Sequence, residues 1–226
     1  MKLLLIIPAY NEEANIEKVV EKIKNEYHEY DYVVINDGSM DHTSEICHSR
    51  GYNVIDHPVN LGLAGAFQTG MKYAWKHGYD CAIQFDADGQ HRPEFIKGMA
   101  EELEKGHDVV IGSRFVSEKK PFTARMMGSR LIAGAIRLTT GKKLTDPTSG
   151  MRLYGRNVIQ AFADNMNYGP EPDTISYLLK KGCRIEEVQV TMAEREAGES
   201  YLNFGRSVSY MCRMLLSILI IQGFRK

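Results

Sequence analysis

The chain has 226 residues, 43% of them hydrophobic, and a formal net charge of −1. That length suits one compact domain or one domain with an appendage, and so small a net charge excludes a global field directed at nucleic acid. The four cysteines (Cys47, Cys81, Cys183 and Cys212) lack Cys-x-x-Cys spacing, which argues against a zinc site or a disulfide framework and for a reducing cytosol.

The run from Met1 to Pro8 is apolar but too short for a signal peptide, and Glu12 and Glu13 follow it. It reads as a first strand, Leu3 to Ile7, covered on both faces. Asn11 suits a helix N-cap ahead of Ile16, Val19, Val20 and Ile23, which recur at helical spacing. Tyr32 to Ile35 is a second strand that ends at Asn36-Asp37-Gly38-Ser39, and Asp41 suits the cap of a helix running to about Arg50. Asn53 to Ile55 is a short third strand. Leu63, Ala66, Phe67, Gly70, Met71 and Ala74 form the next helical stripe, with Asn60-Leu61-Gly62-Leu63-Ala64-Gly65-Ala66 at its start. Small residues there suit close packing of helix on sheet. Ala82 to Phe85 is a fourth strand, Ile96, Met99, Ala100 and Leu103 mark a fourth helix, and Val109 to Ile111 is a fifth strand. No run of 18 apolar residues occurs, so no transmembrane helix is predicted.

Strict alternation of strand and helix argues for a mostly parallel sheet with helices on both sides. Ligands bind such sheets at the carboxyl ends of the strands. Pro8-Ala9-Tyr10, Asp37-Gly38-Ser39, Asp86-Ala87-Asp88 and Gly112-Ser113-Arg114 all fall at such ends, so four polar loops meet on one rim. The first strand leads into Pro8-Ala9-Tyr10-Asn11 with no glycine fingerprint, and no Gly-x-x-x-x-Gly-Lys-Ser/Thr segment occurs. A Rossmann dinucleotide site and a P-loop are therefore excluded.

The stretch Tyr79 to His91 carries the strongest chemical signal. Asp86 and Asp88 stand two apart where the fourth strand ends, on one face of an extended chain. Gly89 permits the turn and Pro93 suits a first helical turn. Two such carboxylates either face water or share a hard divalent cation, and Mg²⁺ commonly bridges a carboxylate to substrate phosphates.

Several motifs occur together and in order. Pro8-Ala9-Tyr10-Asn11-Glu12, Asn36-Asp37-Gly38-Ser39-x-Asp41, Asn60-x-Gly62 and Asp86-Ala87-Asp88-Gly89-Gln90 resemble the nucleotide-sugar-binding half of the family 2 inverting glycosyltransferases, which have a GT-A fold. Gly112-Ser113-Arg114-Phe115, Asp146-Pro147-Thr148-Ser149-Gly150-Met151-Arg152 and the segment from Glu194 to Ser200 resemble the polyprenyl-phosphate glycosyltransferases within it, the dolichyl-phosphate mannose synthases among them. The resemblance covers roughly residues 2 to 202. Leu63 and Ala64 stand where many relatives carry Lys or Arg, and no pair of C-terminal transmembrane helices, common in bacterial relatives, is read here.

The resemblance implies an α/β GT-A domain over residues 1–202. Residues 1–113 would bind the nucleotide sugar, residues 114–202 the acceptor, and residues 203–226 would form a C-terminal amphipathic helix. By similarity, Pro8, Tyr10 and Glu12 border the nucleoside, and Asp37 reads the base edge. Asp86 lies near ribose and metal, Asp88 is the principal metal ligand, and Gln90 is close by. Arg114 and Arg130 resemble ligands of the acceptor phosphate, and Arg195 reaches the donor diphosphate with Ser200 nearby. The implied cofactor is Mg²⁺ or Mn²⁺. The implied reaction is inverting transfer of a hexose from UDP- or GDP-sugar to a polyprenyl phosphate.

From Arg114 to Arg156 the basic residues outnumber Glu118 and Asp146 by eight, which suits an anionic partner such as a lipid phosphate. A phosphate monoester, with a second pKa near ~6, is largely ionised at neutral pH and needs positioning more than a base. A sugar hydroxyl would need one, and Glu171 or Asp173 could supply it; their other reading is as acids at the start of a helix from about Thr174 to Lys181. A saccharide acceptor and, more remotely, a sugar nucleotidyltransferase are the alternatives. Residues 204–226 are apolar at helical spacing, but Arg213 interrupts them. They read either as a helix packed on the domain or as an attachment to the cytoplasmic face of the membrane, direct or through a small membrane protein subunit. A homo-oligomer is left open.

Overall fold

A computed structural model describes residues 1–87, 89–164, 168–193 and 204–223 of the chain. Its seven strands are β1 (Leu3–Ala9), β2 (Asp31–Asn36), β3 (Val54–Asp56), β4 (Cys81–Gln84), β5 (Val109–Ser113), β6 (Arg152–Gly155) and β7 (Ile185–Gln189). They form one sheet in the order β3-β2-β1-β4-β6-β5-β7. Every pairing is parallel except those of β6, which runs antiparallel to β4 and β5.

Helices cover both faces, as the apolar runs require. They are α1 (Ile16–Glu26), α2 (Thr43–Ser49), α3 (Gly62–Lys76), α4 (Ile96–Glu104), α5 (Ala124–Thr140), α6 (Arg156–Asp164), α7 (Pro172–Lys180) and α8 (Phe204–Leu219). Successive residues of β1 point to opposite faces. Leu4 and Ile6 join Phe67 and Met71 of α3, with Tyr154 and Phe162, in one core. Leu3, Leu5 and Ile7 join Ile16, Val20 and Ile23 of α1, with Met99 of α4, in the other.

The expected strands and helices of the first half are present, with one shift at a helix start. Asn11 does not cap α1, which begins at Ile16. It sits at φ 56 instead, and its side-chain oxygen accepts the Met40 amide at 2.8 Å. Asn tolerates that left-handed backbone better than most residues. Asp41 does take the first amide of α2, Thr43 N, at 3.0 Å. Neither β6 nor β7 is among the strands expected from the sequence. The close approach expected of the glycine-rich start of α3 falls further along, at Gly70. A Cβ there would lie 2.3 Å from Cγ2 of Ile6, so α3 rests directly on β1.

Replacing Gly70 by Val should therefore destabilise the fold by about 1–3 kcal/mol, the usual cost of overpacking a close-fitting core. Urea denaturation of the variant measures this. A midpoint equal to that of the unaltered chain would show that α3 can move off β1 freely.

Candidate active site

The carboxyl ends of β1, β2, β4 and β5 point to one rim because these strands run the same way. Register places Ala9 beside Asn36 and Ile6 beside Gln84. Antiparallel β6 starts at the same rim, with Arg152 between Gln84 and Ile111. The loop from Asp146 to Met151 therefore enters where Asp86 leaves, and a Cβ on Gly150 would lie 3.3 Å from Asp86 Oδ2. Residues far apart in the chain thus meet at one edge.

The loops after β1 and β2 are knitted together. Asn11 N donates to Ser39 Oγ at 3.0 Å, and Glu12 N to Thr43 Oγ1 at 2.8 Å. Pro8, Tyr10 and Glu12 are partly exposed along this edge, and Glu12 Oε2 accepts Asn15 Nδ2 at 2.8 Å. Asp37 is buried. Its Oδ1 accepts both His57 Nδ1 at 2.7 Å and Leu61 N at 2.9 Å. His57 in turn meets Thr69 Oγ1 through Nε2 at 2.9 Å.

Asp86 is partly exposed at the rim, and Gln84 Nε2 donates to its Oδ1 at 2.8 Å. Its amide donates to Nδ1 of buried His91 at 2.9 Å. An Nδ1 that accepts leaves the ring proton on Nε2, which lies 3.4 Å from Asp86 Oδ2. His91 thus fixes this carboxylate from two directions. Gln90 is partly exposed, and its carbonyl accepts the Ala193 amide at 3.0 Å. Asp88, Arg195 and Ser200 lie outside the described residues.

The two arginines expected to meet the acceptor are held in place. Arg114 grips fully buried Asp146 with both arms of its fork, Nε to Oδ2 at 2.7 Å and Nη2 to Oδ1 at 2.9 Å. Glu187 accepts the amides of Thr145 and Asp146 at 2.6 and 2.7 Å. Arg130 donates to the carbonyls of Lys120 and Pro121 at 2.6 and 3.2 Å and lies over the Phe122 ring. Lys120 bonds Ser129 Oγ and Thr145 O at 2.8 and 2.9 Å. Burial pushes its ammonium below the ordinary lysine range; nearby Asp146 pulls it back up, while Arg114 and Arg130 add to the fall.

Arg152 is buried and bonds only carbonyls among the described residues: Ser149 at 2.9 Å, Pro147 at 2.8 Å and Glu171 at 3.1 Å. Both acids considered as bases face α8. Tyr210 donates to Glu171 Oε2, and Ser217 donates to Asp173 Oδ2 at 2.6 Å. Burial and then the Glu171 charge push the Tyr210 phenol far up. The sequence assigns no role to His57, His91 or Tyr210, and Lys120 enters only as one of the basic residues between Arg114 and Arg156. Only the position of His91 next to the aspartate pair signalled it.

Glucosyl-3-phosphoglycerate synthase from Mycobacterium tuberculosis, solved with Mn²⁺, UDP-glucose and phosphoglyceric acid, has the same fold. The TM-score is 0.69 at 20% identity, over 98% of this chain and 80% of that one. The architecture is that of the GT-A fold. Residues 4–162 match the model of glycosyl transferase family 2, and the chain belongs to that family. The undecaprenyl-phosphate mannosyltransferase of Micrococcus luteus is 33% identical over 91% of this chain and 89% of that protein. The polyprenol monophosphomannose synthase of Mycolicibacterium smegmatis is 28% identical over 88% of this chain and 80% of its own.

Asp146→Asn should cost about 1–3 kcal/mol of stability, because the buried partner of a charged hydrogen-bonded pair is replaced by a neutral group. Chemical denaturation reads the loss directly. An unchanged midpoint would show that Arg114 does not depend on Asp146.

Proposed function

We propose that this enzyme transfers a hexose from a nucleoside diphosphate to a polyprenyl phosphate, with inversion at the anomeric carbon. The observation that carries this reading is the state of the acceptor side. Arg114, Lys120 and Arg130 gather there, while the two carboxylates suited to act as bases are bound to α8. A sugar hydroxyl acceptor needs a base; an ionised phosphate needs charge and orientation. The names of the relatives point to the same acceptor class.

Asp37 would read the nucleoside base, with Pro8, Tyr10 and Glu12 along the same edge. Arg195 and Ser200 would hold the donor diphosphate, and Arg130 with Arg114 the acceptor phosphate. Asp86 fits a hard divalent ion. Its carboxylate is part-exposed at the rim and steadied by Gln84 and His91. Asp86, Asp88 and Gln90 would hold Mg²⁺ or Mn²⁺ there. When bound, the ion offsets the diphosphate charge and stabilises the leaving nucleotide. The chain's own residues orient the acceptor oxygen on the opposite face of the sugar.

Two helices suit the enzyme to a membrane surface. Among the described residues no helix is long and apolar enough to cross a membrane. Yet Met127, Leu131 and Leu138 of α5 are exposed, as are Val208, Leu216 and Leu219 of α8. Met211 of α8 fills the notch at Gly128 of α5, so the two helices lie side by side. Exposed Arg137, Lys143 and Arg213 suit anionic head groups at the cytoplasmic face. Docking through a small membrane protein subunit would use the same helices.

Radiolabelled UDP- and GDP-hexoses offered with a polyprenyl phosphate in detergent should give label in the lipid extract with one of the two donors. Label only in water-soluble saccharide would contradict the acceptor. Asp88→Ala should reduce this transfer by more than tenfold, about 1.4 kcal/mol of barrier or more, in a protein that stays folded. EDTA should abolish transfer in the unaltered enzyme. Transfer that survives both changes rules out the metal role.

A further inference from the structure

We infer that the donor base is uracil and that His57 is the residue that enforces the choice, an inference that rests on the donor-site reading above. The hydrogen-bond capacity of Asp37 sets the choice. A carboxylate oxygen carries two lone pairs. Oδ1 of Asp37 already accepts two N–H groups, His57 Nδ1 at 2.7 Å and Leu61 N at 2.9 Å. Oδ2 bonds no other described residue, so it is the oxygen left for a ligand.

Neither of the two donors is free to withdraw. His57 is held by its amide, which donates to Asn36 O at 2.8 Å, and by Thr69 Oγ1 at 2.9 Å on its Nε2. Thr69 belongs to α3, which rests on β1 at Gly70. Leu61 immediately precedes α3. The backbone beside Asp37 is equally confined, since a Cβ on Gly38 would lie 2.6 Å from Asn60 N. The carboxylate therefore meets a ligand with one oxygen committed and one available.

The bases differ in what they present to such a group. Guanine offers N1–H and N2–H side by side, a pair that matches both oxygens of a carboxylate. One of those donors would have to crowd the filled Oδ1. Uracil offers a single N–H, at N3, and needs only Oδ2. Cytosine and adenine set a ring-nitrogen lone pair beside their amino group, and a carboxylate repels it. The arrangement of His57, Leu61 and Asp37 thus accepts a uridine nucleotide and disfavours a guanosine one. His57 acts through Asp37, as a positioning residue that sets specificity.

Titration calorimetry of the whole chain with UDP and with GDP, each with Mn²⁺, tests this. UDP should bind at least about tenfold tighter. In His57→Leu, a lone pair on Oδ1 opens to the second N–H of guanine, and the ratio should narrow to within about threefold. His57→Gln keeps a donor and should restore the preference. A merely structural histidine would weaken both nucleotides alike and leave their ratio unchanged, and that result in folded His57→Leu overturns its role. Should His57→Leu fail to fold, the ratio in the unaltered chain still decides the base. GDP binding as tightly as UDP there overturns the uracil assignment and leaves the donor site standing. Binding of neither nucleotide overturns both.

Discussion

The buried carboxylate of Asp146 is the constraint on which the loop between α5 and β6 depends. It has no solvent exposure, so its charge must be met inside the protein. Arg114 meets it with a two-pronged side-chain contact and its own amide at 3.3 Å, and Thr148 Oγ1 adds a further donor at 3.1 Å. Glu187 of β7 then takes the two backbone amides at the same turn. The loop that follows can lie only one way, and that way brings Gly150 against Asp86. The pair thus aligns the end of β5, the loop from Asp146 to Met151 and the carboxylate that follows β4.

Arg152 extends the same logic one layer deeper. Its guanidinium has no ion-pair partner among the described residues, but it ties the carbonyls of Pro147 and Ser149 to that of Glu171. Glu171 precedes α7, and its side chain accepts from Tyr210 of α8. Ser217 of α8 reaches Asp173 in the first turn of α7. A continuous set of polar contacts therefore joins the helix proposed to meet the membrane to the loop beside Asp86. Each group in the set is buried or partly buried, where an unmet hydrogen bond is costly.

Much of the fold was legible because burial leaves a pattern in the residues. The continuous apolar runs of β1, β2 and β5 could only be strands covered on both faces, and the helical stripes of α1, α3 and α4 match their buried faces. Strand β6 was not legible. Arg152-Leu153-Tyr154-Gly155 is short and opens with a charged residue. Its burial rests on carbonyl partners that the sequence does not display. Asp86 was legible from its spacing to Asp88, and Arg114 from its motif. The partners that decide what these side chains can do were not. Asp146 lies 32 residues from Arg114, Tyr210 lies 39 from Glu171, and Ser217 lies 44 from Asp173. Local patterns carry no information about contacts at that range.

The proposed acceptor is a phosphate positioned by arginine rather than a hydroxyl activated by a base. Arg130→Ala tests it most directly when two rates are compared in one preparation: sugar transfer to polyprenyl phosphate, and slow donor hydrolysis without acceptor. Transfer should fall at least about tenfold, the loss of one charge-assisted contact, while hydrolysis stays within about twofold. Equal losses in both rates, or transfer that persists undiminished, would contradict it.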